Sequence, residues 1–159
     1  MVSDLHEPAE SWDDTATLWF LVRQVAARMD RSGEALYRDG LGISLAQFLV
    51  LSVVDAYPGR MNQQAVAERL GLTKGTVSRQ IESAVAADLM TVTVAPHSRR
   101  ENVVELTPKG TALVRRGDAL IEAVVRDDFP AIPSADLAAT LRTLAALNET
   151  LAGRTGSDT

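Results

Sequence analysis

The tightest constraint on this chain is one glycine, Gly71, set between two short helical patterns. Before it, QQAVAERL places Ala67 four residues upstream; after it, the run from Thr73 places Val77 six residues downstream. Helices that cross steeply over so short a span need three things. These are a small side chain at the contact, a residue that tolerates left-handed backbone at the turn, and a branched apolar anchor in the second helix. Ala67, Gly71 and Val77 meet those needs, with Leu70, Leu72 and Ile81 completing a small core. The pattern is a helix-turn-helix. An ordinary helical hairpin satisfies the same spacing, so the residues that follow decide between them.

Asn62 is placed to cap the first helix and Thr73 the second, which runs to about Asp88. Next come TVTVA and NVVEL, two alternating β-branched runs around the polar stretch PHSRRE. They predict a hairpin with His97, Ser98, Arg99 and Arg100 at its tip. Thr107-Pro108 then opens another helix, with the threonine as cap and proline in the first turn. A helix-turn-helix followed by such a hairpin is a winged helix. Its second helix fits the major groove of B-DNA, ~12 Å wide, and its wing reaches a neighbouring minor groove.

The candidate DNA-binding residues are Thr73, Lys74, Gly75, Thr76, Ser78 and Arg79 in the first turns of the second helix, with Arg99 and Arg100 on the wing. The helical set consists of short hydrogen-bonding groups and long cations, while Val77 and Ile81 point inward. That end of a helix also presents free N–H groups and positive dipole to phosphate. Arg79 is the candidate for a bidentate contact to guanine O6 and N7; Lys74 either reads a base or holds phosphate. The paired wing arginines suit a narrow, electronegative minor groove. For each of these residues, plain solvation on an exposed helix or loop is the competing explanation.

Around this segment the chain is helical. From Asp14 to Tyr37 the residues Leu18, Leu21, Val22, Val25, Ala26, Met29 and Leu36 recur at steps of three and four, before Gly40 and Gly42 break the helix. Ser44 and Gln47 form a capping box ahead of LAQFLVLSVVDAY, which stops at Pro58-Gly59. After Thr107, an apolar face of Leu113, Leu120, Ile121, Val124 and Val125 runs to Pro130 and Pro133. Ser134 caps a last helix striped by Leu137, Leu141, Leu144, Leu147 and Leu151.

The expected fold is mainly α with a small β-hairpin wing: a winged helix-turn-helix core flanked by N- and C-terminal dimerisation helices. The expected organisation is a flexible acidic tail over 1–11 and an N-terminal dimerisation helix with its connector over 12–43. A DNA-binding region over 44–110, C-terminal dimerisation helices over 111–152 and a flexible tail over 153–159 follow. Both terminal stripes flank a small fold with a core of its own, so they call for a partner surface, expected to be a second copy of the chain. Folding back onto the same subunit is the alternative. A two-fold dimer sets its recognition helices one DNA turn apart, ~34 Å, and predicts a pseudo-palindromic operator in double-stranded DNA.

Charge agrees with a local basic face. The chain carries −5 overall, which argues against coating a polyanion by bulk charge. Between Arg60 and Arg116, however, nine basic residues face five acidic ones, a net of +4, against −9 for the remainder. The absence of cysteine removes disulfides, thiolate nucleophiles and thiol redox switching. His6 and His97 show no metal-ligand spacing, and no phosphate-binding glycine motif or nucleophile–base set is present, so no metal, no cofactor and no catalytic residue is expected. An apolar run of ~20 residues is missing and the acidic start lacks a basic n-region, which predicts a soluble cytoplasmic protein without membrane association.

The stretch AVAERLGLTKGTVSRQIESAVAADLMTVTVAPHSRRENVVELTPKG resembles the winged-helix core of the MarR-type bacterial transcriptional regulators, and LTPKG looks like that family's LTxxG element. The resemblance implies a homodimer, usually a repressor, whose two winged helices bind an inverted repeat. It also implies a small, often aromatic or phenolic, anionic effector held between the dimer helices and the winged helix. The family's wing often reads D-P-x-D-R-R, whereas here Ala95-Pro96-His97-Ser98-Arg99-Arg100 lacks both acidic residues that brace the arginines. For the effector pocket, Trp19, Phe20 and Phe48 are the candidate lining, against plain core packing as the competing explanation. Arg115 is the candidate partner for an anion, against phosphate contact or solvation. The alternative function is a winged-helix protein-interaction module that meets an acidic partner without sequence-specific DNA binding. Salt-sensitive, sequence-selective duplex binding discriminates the two.

Overall fold

The computed structural model describes residues 13–94, 102–129 and 131–155. The chain divides into two compact units, residues 1–45 and 46–159.

The first unit is built on α1 (Asp14–Leu41). Asp13 caps it, its carboxylate accepting from the Ala16 N–H at 2.7 Å. The helix runs straight through Gly40, beyond the end expected near Tyr37, and stops at Gly42, whose φ of 73° is left-handed. A lone glycine weakens a helix by only about 1 kcal/mol; it is the left-handed turn, not composition, that closes this one. Near that end the Glu34 carboxylate pairs with Arg38 and accepts from the Leu45 N–H at 2.8 Å. The backbone N–H first, and the Arg38 guanidinium second, hold this carboxyl below the ordinary carboxylate range.

From the boundary onward the order is α2 (Leu45–Ala56), α3 (Gln63–Leu70), α4 (Lys74–Ala86), β1 (Met90–Val94), β2 (Asn102–Leu106), α5 (Pro108–Asp128) and α6 (Ser134–Thr155). The strands form an antiparallel hairpin with Met90 opposite Leu106 and Val92 opposite Val104. A short bridge that local pattern did not predict backs β2: the Val104 N–H donates to the Met61 carbonyl at 2.8 Å. The core gathers Phe48, Val50, Leu51 and Val54 of α2, Val66 and Ala67 of α3, and Val77, Ile81 and Ala84 of α4. Met61, Met90, Val104 and Val114 complete it.

Helix α5 turns inward the face that the apolar pattern marks, but the most buried positions on it are not the large residues. Its buried positions are Gly110, Val114 and Gly117, while Leu113, Leu120, Ile121 and Val124 are half-buried and Val125 is exposed. Both glycines are required by close approach. A Cβ on Gly110 would stand 2.0 Å from the Leu89 carbonyl oxygen, and one on Gly117 would stand 2.0 Å from Cε2 of Phe48. Residues chosen for having no side chain carry no apolar signal, so these two close approaches leave no mark on the apolar pattern.

At α6 the Leu137 N–H donates to the Pro133 carbonyl at 3.0 Å, which makes Ser134 the first helical residue instead of the cap. The helix also continues past Gly153 to Thr155, through the start of the stretch expected to be a tail. Along Ser134–Gly153 every residue is exposed apart from half-buried Leu147. No single described helix is long and apolar enough to cross a membrane.

Candidate nucleic-acid interface

Local chemistry builds the helix-turn-helix. Asn62 caps α3, its side-chain oxygen accepting from the Ala65 N–H at 2.8 Å. At the far end Gly71 takes φ 63°, the Leu72 N–H donates back to the Ala67 carbonyl at 3.0 Å, and the Gly71 N–H to that of Glu68 at 3.4 Å. This is a Schellman turn, which reverses the chain while satisfying the last carbonyls of α3. Two residues later Thr73 caps α4, its hydroxyl accepting from the Thr76 N–H at 3.2 Å. The Gln63 amide then donates to the Lys74 carbonyl at 3.1 Å and ties the starts of the two helices together. Gln63 escaped the sequence analysis because a tie of this kind depends on tertiary approach.

Helix α4 is divided cleanly between core and surface. Val77, Ile81 and Ala84 are buried; Thr73, Lys74, Gly75 and Arg79 are exposed, with Thr76 and Ser78 half-buried beside them. The hydroxyls are already engaged locally. Thr73 and Thr76 share a hydrogen bond of 2.9 Å, and Ser78 donates to the Glu82 carboxylate at 3.0 Å. Around Gly75 there is open space where a Cβ would stand, so nothing within the chain demands glycine there. Gly75 is the second residue of α4, in its first turn, where glycine remains a poorer helix former than alanine at a cost of up to about 1 kcal/mol. The exposed face of the first turns therefore presents two long cations, Lys74 and Arg79, flanking a bare strip of backbone. Elsewhere Arg69 lies over the ring of Tyr57, 4.0 Å from its centre, a stacking that sequence spacing does not reveal.

The wing is anchored by buried Met90 on β1 and buried Val104 on β2, and is exposed at its outer end, where Val94 lies opposite Asn102. Arg99 and Arg100, with His97 and Ser98, lie outside the described residues. Of the candidate effector residues, Trp19 and Phe20 sit on α1 and line an open depression with Asp13, Thr15 and Ala16. Phe48 is not among the residues lining this depression. It is buried in the second unit with Gly117 against its ring, so its aromatic character serves packing. Arg115 is exposed on α5. A second depression is more polar and involves none of these four; Asp55, Thr91, Glu105 and Thr111 are among its lining residues.

A helix-turn-helix closed by a two-stranded wing, with the cationic face of its second helix outward, defines the winged-helix class of nucleic-acid-binding folds. Residues 41–101 match the model of the MarR family. No curated protein sequence matches the chain. Among solved structures it is similar to CouR from Rhodococcus jostii RHA1 bound to p-coumaroyl-CoA, at 20% identity over 87% of this chain and 96% of that one, with a TM-score of 0.76. It is similar to the S. aureus MepR–DNA complex, at 18% identity over 84% and 97% of the two chains and a TM-score of 0.72. Bordetella bronchiseptica BpsR, whose DNA binding is regulated by 6-hydroxynicotinic acid, aligns at 25% identity over 82% of this chain and 98% of its own, with a TM-score of 0.66.

Proposed function

We propose that this chain is a homodimeric transcriptional regulator that binds a pseudo-palindromic operator in duplex DNA, represses from it, and releases it on binding a small aromatic anion. The observation that carries the reading is the division of α4. Val77, Ile81 and Ala84 anchor one face in the core, and Lys74, Gly75 and Arg79 stand on the other with free space above the glycine. Arg79 reads base edges in the major groove, Lys74 meets phosphate or a base, and the bare backbone at Gly75 lets the helix approach a strand closely. Thr73, Thr76 and Ser78 support these contacts from hydroxyls already oriented by caps and by Glu82. Arg99 and Arg100 supply the minor-groove contact from the wing.

Dimerisation is supported by the apolar surface left at both ends of the chain. Trp19, Leu21, Val25 and Met29 on α1 are exposed, as are Leu137, Leu141, Leu144 and Leu151 on α6. Trp19 and Phe20 belong to that surface, which makes them the candidates for contact with an effector, with Arg115 as a candidate for its charge. The MepR–DNA complex, the CouR complex with p-coumaroyl-CoA and the regulation of BpsR by 6-hydroxynicotinic acid lend the reading support by likeness of fold.

Selection of bound sequences from a random duplex pool tests it. The expected result is enrichment of an inverted repeat whose half-site centres lie about one helical turn, ~10 base pairs, apart. A pool with no enriched sequence would overturn the reading in favour of a protein-interaction module. Enrichment of a single asymmetric half-site would overturn the dimer.

A further inference from the structure

We propose that Thr107 and Lys109 form a clasp that fixes the C-terminal end of the recognition helix to the start of α5, which makes Lys109 a positioning residue for DNA recognition that does not itself touch DNA. The inference rests on the DNA-binding reading given above for what the positioning serves.

The end of α4 is a second Schellman turn. The Leu89 N–H donates to the Ala84 carbonyl at 2.8 Å and the Asp88 N–H to that of Val85 at 3.0 Å, with Asp88 at φ 59° in the place that glycine usually fills. Beyond these bonds the carbonyls of Ala87, Asp88 and Leu89 have left the helical ladder. The start of α5 takes all three. Lys109 Nζ donates to the Ala87 carbonyl at 2.7 Å, the Thr107 hydroxyl to that of Asp88 at 2.7 Å, and the Thr107 N–H to that of Leu89 at 3.0 Å.

The same Thr107 hydroxyl accepts from the Gly110 N–H at 3.0 Å and so caps α5. One oxygen thus closes the end of one helix and the beginning of the next. Gly110 permits the approach: a Cβ there would stand 2.0 Å from the Leu89 carbonyl oxygen and 3.0 Å from its carbon, backbone atoms with no freedom to swing aside. The charge has the favourable sign as well. An ammonium at the carbonyl end of a helix opposes the partial negative charge there and makes a charge-assisted hydrogen bond. Local sequence gives α4 its N-terminal cap; at its other end, beside the Schellman turn and the packing of Ile81 and Ala84, this clasp ties the helix directly to the start of α5.

The test uses the full chain carrying Lys109→Met, Lys109→Arg or Thr107→Val. Binding to the selected operator and to random duplex is measured across a salt series, and amide hydrogen exchange is measured on the free protein. Lys109→Met should weaken operator binding by about 5- to 20-fold, leave random-duplex binding within about twofold and leave the log–log salt slope unchanged. Lys109→Arg, which keeps charge and donors, should restore most of the loss. In the Met and Val variants the amides of Asp88, Leu89 and Gly110 should exchange faster together.

Equal losses on both duplexes with a slope flatter by about one would make Lys109 a phosphate contact and overturn the proposal. Unchanged exchange at Asp88 and Leu89 in Lys109→Met would overturn it too, whether or not DNA is bound. A wild-type chain that binds no duplex, yet loses exchange protection at both segments in that variant, would count against the DNA-binding reading and leave the clasp standing. Should Thr107→Val fail to fold, Lys109→Met still carries the test, because it alters an exposed side chain.

Discussion

The winged helix and the terminal helices of this chain treat apolar residues in opposite ways. In the winged helix Val50, Leu51, Val66, Val77 and Val104 are fully enclosed, and caps, Schellman turns and strand pairing satisfy the backbone around them. On α6 the repeating leucines stand open, Leu141 with 59% of its surface exposed, and on α1 Trp19 is 60% exposed. The periodicity that buries one set leaves the other on the surface. Contiguous apolar surface on a protein in water marks an interface; under the dimeric function proposed above, the stripes are the means of pairing two winged helices.

The largest test of that contrast is to charge the open stripe. Leu141→Glu with Leu144→Glu should cost a dimer at least ~3 kcal/mol, more than a hundredfold in dissociation constant, by burying unpaired carboxylates. Sedimentation should then report a single protomer and operator binding should collapse. A variant that stays dimeric would place the interface elsewhere. The closed region answers to packing instead. Gly117→Ala should destabilise the chain by about 1–3 kcal/mol in thermal or denaturant unfolding, since its methyl meets the Phe48 ring. Adding Phe48→Leu should return part of that loss, a coupling that a double-mutant cycle reads directly.

Smaller effects sharpen the division of α4 itself. Arg79→Ala should leave unfolding nearly unchanged and reduce discrimination between operator and random duplex by about 1–3 kcal/mol at the base it reads. Intact specificity in a competition assay would move the recognition register to other residues. Gly75→Ala should raise stability by up to about 1 kcal/mol yet weaken duplex binding, because the added methyl occupies the space left for a DNA strand. A variant both more stable and equally tight would deny that approach.

The mildest prediction concerns pH. Glu34 has its carboxyl held below the ordinary range by the Leu45 N–H and Arg38. The stabilisation it gives is present above the unfolded carboxylate pKa and is lost as pH falls through its lowered folded value. The protection of the Leu45 amide, the slowing of its exchange relative to that of an unstructured amide at the same pH, should therefore fall below that point, and Glu34→Gln should remove that change in protection.

The parts of this fold legible in the sequence share one property: their causes lie within a few residues. Asn62, Thr73 and Thr107 cap helices because a side-chain oxygen three residues before an N–H needs no help from the rest of the chain. Gly71 turns the chain for an equally local reason, and alternation in the strands announces the wing. What was missed depends on segments far apart in sequence. The Met61 bridge, the Arg69–Tyr57 stacking, the close approaches at Gly110 and Gly117 and the Lys109 clasp each need two elements already in position. Phe48, buried against Gly117, illustrates the ambiguity such reasoning leaves, since an aromatic ring reads alike whether it lines a pocket or fills a core.

Sequence by itself therefore determined the order of the elements, the cationic character of the first turns of α4 and the two apolar stripes, because periodicity, capping and charge are properties of neighbouring residues. Tertiary structure alone decided which positions of α5 must be glycine, which aromatics remain open and how the far end of α4 is held. Those outcomes turn on gaps of a few ångströms between residues distant along the chain, and a gap leaves no mark on composition or spacing.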